Sequence, residues 1–255
     1  MCHELDSEPP IPAIAGAAIS HEDVVLDAAD GNRFAAFVAT PDRPSSVGVV
    51  ILPDVRGLYR FYEELALRFA ERGYAAVAID YFGRTAGVSK RDDEFAFMDH
   101  VVQTTRAGLQ ADVAAAVDYL RSPAGGSRAS IFTVGFCFGG RNSWFAAAGG
   151  RELAGAVGFY GMAGERNGDP GPIASVAQIS APILALQAGT DAHIAPEDNE
   201  AFDAALSAAG VEHEIVTFPG APHSFFDRLH EEFQEQSDDA WRRTLAFIDS
   251  HSGRA

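Results

Sequence analysis

The 255-residue chain predicts an α/β architecture: a mostly parallel central sheet with helices on both faces, preceded by an N-terminal antiparallel hairpin. Three observations carry this expectation. Short, wholly apolar runs recur along the chain, helical patterns of ten or so residues separate them, and two β-like runs near the start flank the turn cluster Asp30-Gly31-Asn32. Apolar runs without alternation are strands covered on both faces, and the helices between them are the crossovers that parallel strands require.

Residues 1–20 are rich in Pro and Ala, lack periodicity and read as an arm lying over the body, while residues 21–255 read as one domain. The runs 24–26 and 34–39 around the turn cluster form the hairpin. Residues 47–52 are then a buried strand, 61–72 a helix stopped by Gly73, and 75–79 a second buried strand. Strands at 130–134, 153–160, 183–187 and 212–218 follow, interleaved with helices over 111–120, 139–148, 197–209 and 238–250. Two connections, 81–105 and 161–180, are longer than the sheet needs. Loops leaving the C-terminal ends of strands build the sites of α/β proteins, so these two read as pocket walls. Phe82, Phe95, Phe97 and Met98 make the first of them apolar, either as packing beneath the loop or to receive an aromatic or alkyl group.

Thirty-six acidic residues against 19 basic ones leave a formal charge of −17. Such a surface repels phosphate backbones and anionic membranes, so neither nucleic acid nor membrane is an expected partner. No apolar stretch approaches the roughly 18 residues that span a bilayer. Two cysteines, Cys2 and Cys137, cannot build a disulfide framework. The N-terminus carries Glu4, Asp6 and Glu8 and no basic or apolar run of a signal peptide. The expectation is a cytoplasmic protein, a monomer or small homo-oligomer, acting on a small molecule.

The sharpest local signal is Val134-Gly135-Phe136-Cys137-Phe138-Gly139-Gly140, a strand running through G-x-C-x-G into a helix of small residues. This is the context of a nucleophile elbow. The glycines let strand and helix approach where a Cβ would clash, and the turn puts the thiol at a helix N-terminus, whose partial positive charge favours thiolate. An acid and a base should follow at later strand ends. The run 183–188 ends in Gly189-Thr190-Asp191, and the run ending at Phe218 leads into Pro219-Gly220-Ala221-Pro222-His223. Nucleophile, acid, histidine is the chain order of α/β-hydrolases. In that arrangement His223 takes the thiol proton and Asp191 fixes the imidazole tautomer. The oxyanion would be held by the backbone N–H of Phe138 and by one from Pro53-Asp54-Val55-Arg56-Gly57, for which Val55 is the choice. Asp191, His193 and His223 could instead hold a metal, but Asp-x-His alone is weak and no H-E-x-x-H or paired-cysteine motif supports it. Neither metal nor cofactor is expected.

These residues resemble the dienelactone hydrolase family, cysteine-dependent α/β-hydrolases that open unsaturated lactones in the degradation of aromatic compounds. The similarity covers roughly residues 25–250 and includes Gly73-Tyr74-Ala75-Ala76-Val77, Asp80, the elbow, Val157-Gly158-Phe159-Tyr160-Gly161, Gly189-Thr190-Asp191 and His223-Ser224-Phe225. The resemblance implies a Cys137, Asp191, His223 triad acting through a thioester on a small lactone or activated ester, as a carboxymethylenebutenolidase does. It implies that Tyr160 and Ser224 line the pocket, and that Asp54 takes the place of a glutamate that contacts the resting thiol. The family also holds a substrate carboxylate with arginines, for which Arg56, Arg84 and Arg91 are candidates. One family arginine falls a few residues after the histidine, where this chain has Asp227 followed by Arg228. Two alternatives stay open: a neutral-ester hydrolase or thioesterase of the same fold, and a non-catalytic ligand-binding or redox-sensing protein.

Overall fold

Ile19–Asp27 (β1) pairs antiparallel with Arg33–Pro41 (β2), from Ile19 opposite Pro41 to Asp27 opposite Arg33, in a computed structural model that describes residues 7–253 except Asp93 and Asn167. Cys2, Glu4, Asp6 and the first part of the expected arm lie outside the described residues. The hairpin is longer than the apolar runs suggest because Ser20, His21, Glu22 and Asp23 are polar and exposed on an edge strand, where one paired neighbour suffices.

The chain continues as β3 (Val47–Leu52), α1 (Arg60–Glu71), β4 (Ala75–Ile79), the short helices α2 (Gly83–Ala86) and α3 (Phe97–Val101), and α4 (Arg106–Arg121). Then come β5 (Ser130–Phe136), α5 (Phe138–Ala147), β6 (Gly155–Phe159), a 3-10 helix (Pro172–Gln178), β7 (Ile183–Ala188), α6 (Pro196–Ala209), β8 (His213–Phe218) and α7 (Gln234–His251). Both long connections therefore carry helical turns of their own. Two helices begin earlier than their apolar period does. Thr105 caps α4 by accepting the Gly108 N–H at 3.1 Å, and the first turn of α7 is held by Ser237, buried and donating to the Phe225 carbonyl at 3.1 Å.

The sheet order is β1-β2-β4-β3-β5-β6-β7-β8, parallel from β4 to β8 and antiparallel where β2 meets β4. The chain goes to one side of β3 to form β4 and to the other for β5, so the loops after β3 and β5 diverge and open a crevice between them. One face is covered by α1 and α7 through Phe61, Leu65, Phe69, Trp241 and Ile248; the other by α4, α5 and α6 through Val113, Leu120, Trp144, Phe202 and Leu206. Each such side chain contributes about 1.5–3 kcal/mol relative to exposure. The arm is tied to α1: Ile11 is buried in the first core, Glu8 pairs with Arg60 at 2.5 Å, and the Ile14 N–H donates to Glu71 at 2.9 Å. No helix among the described residues is long and apolar enough to cross a membrane.

Asp80, at the end of β4, organises the loops beside the crevice. Its carboxylate is fully buried, accepts from Arg91 Nη2 at 2.6 Å and Nε at 3.1 Å, and also takes the N–H groups of Leu58 and Phe82. Arg91, itself bonded to Ser89 and the Gly87 carbonyl, folds the 81–105 connection back onto the sheet. Removing one partner leaves the other charge buried and unpaired. Asp80→Ala is therefore expected to cost about 3–5 kcal/mol in urea unfolding, and Asp80→Ala with Arg91→Met to recover much of it. Equal losses in the single and double variants would contradict this.

Candidate active site

The crevice is lined by the ends of β3, β5, β6, β7 and β8. At the end of β5 the chain turns into α5 through Cys137, whose φ of 54° and ψ of −110° are rare for a residue with a Cβ. Two glycines make the turn possible. A Cβ on Gly135 would lie 2.0 Å from the Gly139 carbonyl oxygen, and one on Gly139 would lie 2.0 Å from that of Leu52 and 2.4 Å from that of Pro53. The helix thus starts directly against the end of β3. Phe138 is the first residue of α5, so its N–H is one of the donors helix geometry leaves open. The Cys137 N–H is held by the Phe159 carbonyl at 2.9 Å, which fixes the turn to β6.

His223 and Asp191 meet as their spacing suggested. His223 Nδ1 lies 2.7 Å from Asp191 Oδ2; the Asp191 side chain is 1% exposed and that of His223 is 17%. The other carboxylate oxygen accepts the backbone N–H of His193 at 2.8 Å, which ties the acid to its own loop. Among the described residues no group of three His, Cys, Asp or Glu side chains is placed to hold a metal. Gly189, at the head of this loop, is pressed against the Phe218 carbonyl, which brings the ends of β7 and β8 together. Tyr160, with φ of 37°, packs its ring 4.9 Å from that of His223; Ser224, buried with φ of 63°, follows the histidine. Three residues with positive φ and a Cβ, Cys137, Tyr160 and Ser224, thus belong to one site.

The loop after β3 holds Asp54, Val55 and Arg56. Asp54 and Arg56 are both almost completely buried. The Asp54 carboxylate is turned onto its own loop: it accepts the Arg56 N–H at 2.8 Å and Arg56 Nε and Nη2 at 3.0 and 2.5 Å. Its position is that implied by the resemblance, but its oxygens are committed to a guanidinium. Arg56 Nη2 also donates to Asp227 Oδ2 at 2.6 Å, and the guanidinium stacks 4.1 Å over the Tyr59 ring. Burial pushes the Asp227 carboxyl up from its ordinary value, while Arg56 and the hydroxyl of Ser7 from the arm pull it down. The Tyr62 hydroxyl accepts the Asp54 N–H at 2.9 Å and that of Tyr81 donates to the Pro53 carbonyl at 2.9 Å. Burial, aided by Asp54, holds both phenols far above their ordinary value, so they stay protonated. Val55 stands within the Asp54 turn, and neither its N–H nor that of Phe138 is hydrogen-bonded among the described residues.

The other two arginines carry structural pairs. Arg84 joins Asp30 of the hairpin turn to Asp112 of α4, at 2.6 and 2.7 Å, and Arg91 is the partner of Asp80. Of the apolar residues in the 81–105 connection, Phe82 is buried and packs on Phe95, whereas Met98 is 53% exposed. Trp144 is core, filling the space above Gly158 and Gly161, as its place on a small-residue helix suggests. Arg141, although an arginine on a helix, is buried: it donates to the carbonyls of Met162, Gly164 and Asp169 and pairs with the Asp169 carboxylate at 3.3 Å. The 161–180 connection folds over α5, and its carbonyls need a donor there. Sequence reasoning missed Tyr59, Tyr62 and Tyr81, which a helical or strand-end apolar pattern counts as core, and the pairing of Asp227 with Arg56, which only the fold brings together.

The strain at Cys137 has a measurable consequence. Both Cys137→Gly and Cys137→Ala remove the thiol, but only glycine adopts the turn freely, so the glycine variant is expected to be the more stable by about 1 kcal/mol in denaturant unfolding. A more stable alanine variant would place the strain elsewhere.

Known proteins resemble this chain in sequence and in fold. A sequence model described as "Dienelactone hydrolase family" matches residues 34–252. A "Putative carboxymethylenebutenolidase" of Escherichia coli strain K12 is 30% identical over 239 residues, 88% of this chain and 85% of that one. The carboxymethylenebutenolidase of Rhodococcus opacus is 27% identical over 98% of this chain and 97% of its own. Among solved structures, a "Putative Dienelactone Hydrolase" from Klebsiella pneumoniae superposes with a TM-score of 0.78 at 27% identity, covering 91% of this chain and 99% of that one. With the family matched over most of its length and the fold shared, the chain belongs to the dienelactone hydrolase family and is a carboxylic ester hydrolase.

Proposed function

We propose that the protein hydrolyses a small lactone or activated ester through a thioester on Cys137, with His223 as base and acid and Asp191 as its orienter. The observation that carries this reading is the 2.7 Å bond between Asp191 Oδ2 and His223 Nδ1 at the strand ends beside the elbow. A carboxylate on Nδ1 fixes the proton there and leaves Nε2 as the basic nitrogen.

The chemistry follows from these assignments. The thiol proton passes to His223 Nε2 as the sulfur forms a bond to the substrate carbonyl carbon. The carbonyl oxygen becomes an oxyanion, for which the N–H groups of Phe138 and Val55 are the proposed donors. The C–O bond to the leaving oxygen then breaks and that oxygen takes the proton from His223. In a lactone the released alcohol or enol stays attached to the acyl group. Water next gives a proton to His223 and adds to the thioester carbonyl; the C–S bond breaks, the sulfur recovers its proton and the acid departs. Tyr160 and Ser224 flank this path.

Initial rates on 4-nitrophenyl acetate test the assignment. Cys137→Ala is expected to lower kcat by about 10³-fold or more, and Asp191→Asn by about 10²–10⁴-fold with unchanged folding, through the wrong imidazole tautomer. Unchanged turnover in Cys137→Ala would sink the proposal.

A further inference from the structure

We infer that His193 is a substrate-binding residue, whose ring, set edge-on against the proposed base His223, donates a hydrogen bond to a carboxylate carried by the lactone or ester. The inference deepens the reading above and rests on its choice of Cys137 and His223 as the reacting groups.

Three observations converge. The His223 ring has two aromatic neighbours, Tyr160 at 4.9 Å between centroids and His193 at 5.5 Å, the latter nearly perpendicular at 89°. A ring the size of a lactone, bound beside His223, spans the second separation. The turn that holds the acid also presents His193: Asp191 Oδ1 accepts the His193 N–H at 2.8 Å while Oδ2 lies 2.7 Å from His223 Nδ1, so one buried carboxylate sets the place of both histidines. Finally, the His193 ring is exposed and makes no hydrogen bond or ion pair among the described residues. Structural histidines of this chain are bonded at their nitrogens, as His251 is to the Phe247 carbonyl and to Glu212.

An imidazole suits an anionic oxygen here. It keeps one N–H donor when neutral and has two when protonated, so it offers a hydrogen bond to a carboxylate in either state. The arginines of the surrounding loops are committed elsewhere: Arg56 to Asp54 and Asp227, Arg84 to Asp112, Arg91 to Asp80 and Arg141 to Asp169, while Arg228 acts on Asp227. A chain with a formal charge of −17 gives an anion no long-range attraction. A carboxylate-bearing substrate therefore needs a donor at the site itself, and His193 stands beside the base.

Protection of Cys137 from iodoacetamide in the full-length protein reads this contact without requiring turnover. In the alkylation the sulfur bonds to the reagent's CH₂ carbon, iodide leaves with the C–I electron pair and the thiol proton passes to His223. The rate constant, followed by mass spectrometry with peptide mapping to separate Cys137 from Cys2, is measured against rising concentrations of two probes. One is 2-furoate, a planar five-membered ring bearing a carboxylate; the other is 2-furamide, the same ring without the charge. Half-protection by 2-furoate is expected at about tenfold lower concentration than by 2-furamide. His193→Phe, which keeps a ring against His223 and removes both nitrogens, is expected to bring the two probes within about twofold of each other, and His193→Ala to do the same. No protection by 2-furoate, no preference for it in the wild type, or a preference unmoved in a folded variant of either kind overturns the inference. Failure of Cys137 to react overturns it as well, since a site closed to iodoacetamide admits no substrate beside His193. Because protection is read without ester hydrolysis, a His193-dependent preference in a protein that does not turn over 4-nitrophenyl acetate would overturn the thioester mechanism alone.

Discussion

A contact between two backbones places the thiol at the head of the sheet. The first turn of α5 lies so close to the carbonyls of Leu52 and Pro53 that no Cβ fits at Gly139, and Gly135 is equally closed by the helix it precedes. Given that approach, the chain can leave β5 only through a sharp turn, and Cys137 takes the φ of 54° that the turn demands. Tyr160 and Ser224 take comparable conformations at neighbouring strand ends. Each costs about 1–3 kcal/mol, which two cores packed on opposite faces of the sheet can sustain. The same turn puts Cys137 at the N-terminal end of α5, so the strain at this residue and its place at the positive end of the helix are consequences of one packing constraint.

Charge is arranged on the same plan. The chain is strongly acidic, yet around the crevice its acids are paired within the loops they shape: Asp80 with Arg91, Asp112 with Arg84, and Asp54 and Asp227 with Arg56. The first pair folds the 81–105 connection onto the sheet, the second ties the hairpin to α4, and the third holds the loop after β3 against the segment that follows His223. The arm joins this last group through Ser7. Loop architecture is thus set by these paired side chains.

The elements that local pattern governs were legible in the sequence. Apolar runs marked the parallel strands from β3 to β7, and the glycines on either side of Cys137 marked the elbow, because a close approach of backbones leaves no other residue possible. The meeting of Asp191 and His223 was legible because strand ends point to one edge of a parallel sheet. Long-range pairing was not. Nothing local distinguishes Arg56 as a substrate clamp from Arg56 as the partner of Asp227, far along the chain, or Arg141 as a surface cation from the donor that holds the 161–180 connection. The early starts of α4 and α7 escaped for a related reason: a capping threonine and a buried serine act there in place of an apolar stripe.

The account stands on covalent chemistry at Cys137. Acid quenching during the turnover of 4-nitrophenyl acetate, followed by peptide mass mapping, tests it most directly. The predicted result is an acetyl group on the peptide containing Cys137, present in the wild type and accumulating when His223→Ala slows its release. Sustained hydrolysis with no acyl group on Cys137, or with the acyl group on another residue, would contradict the account.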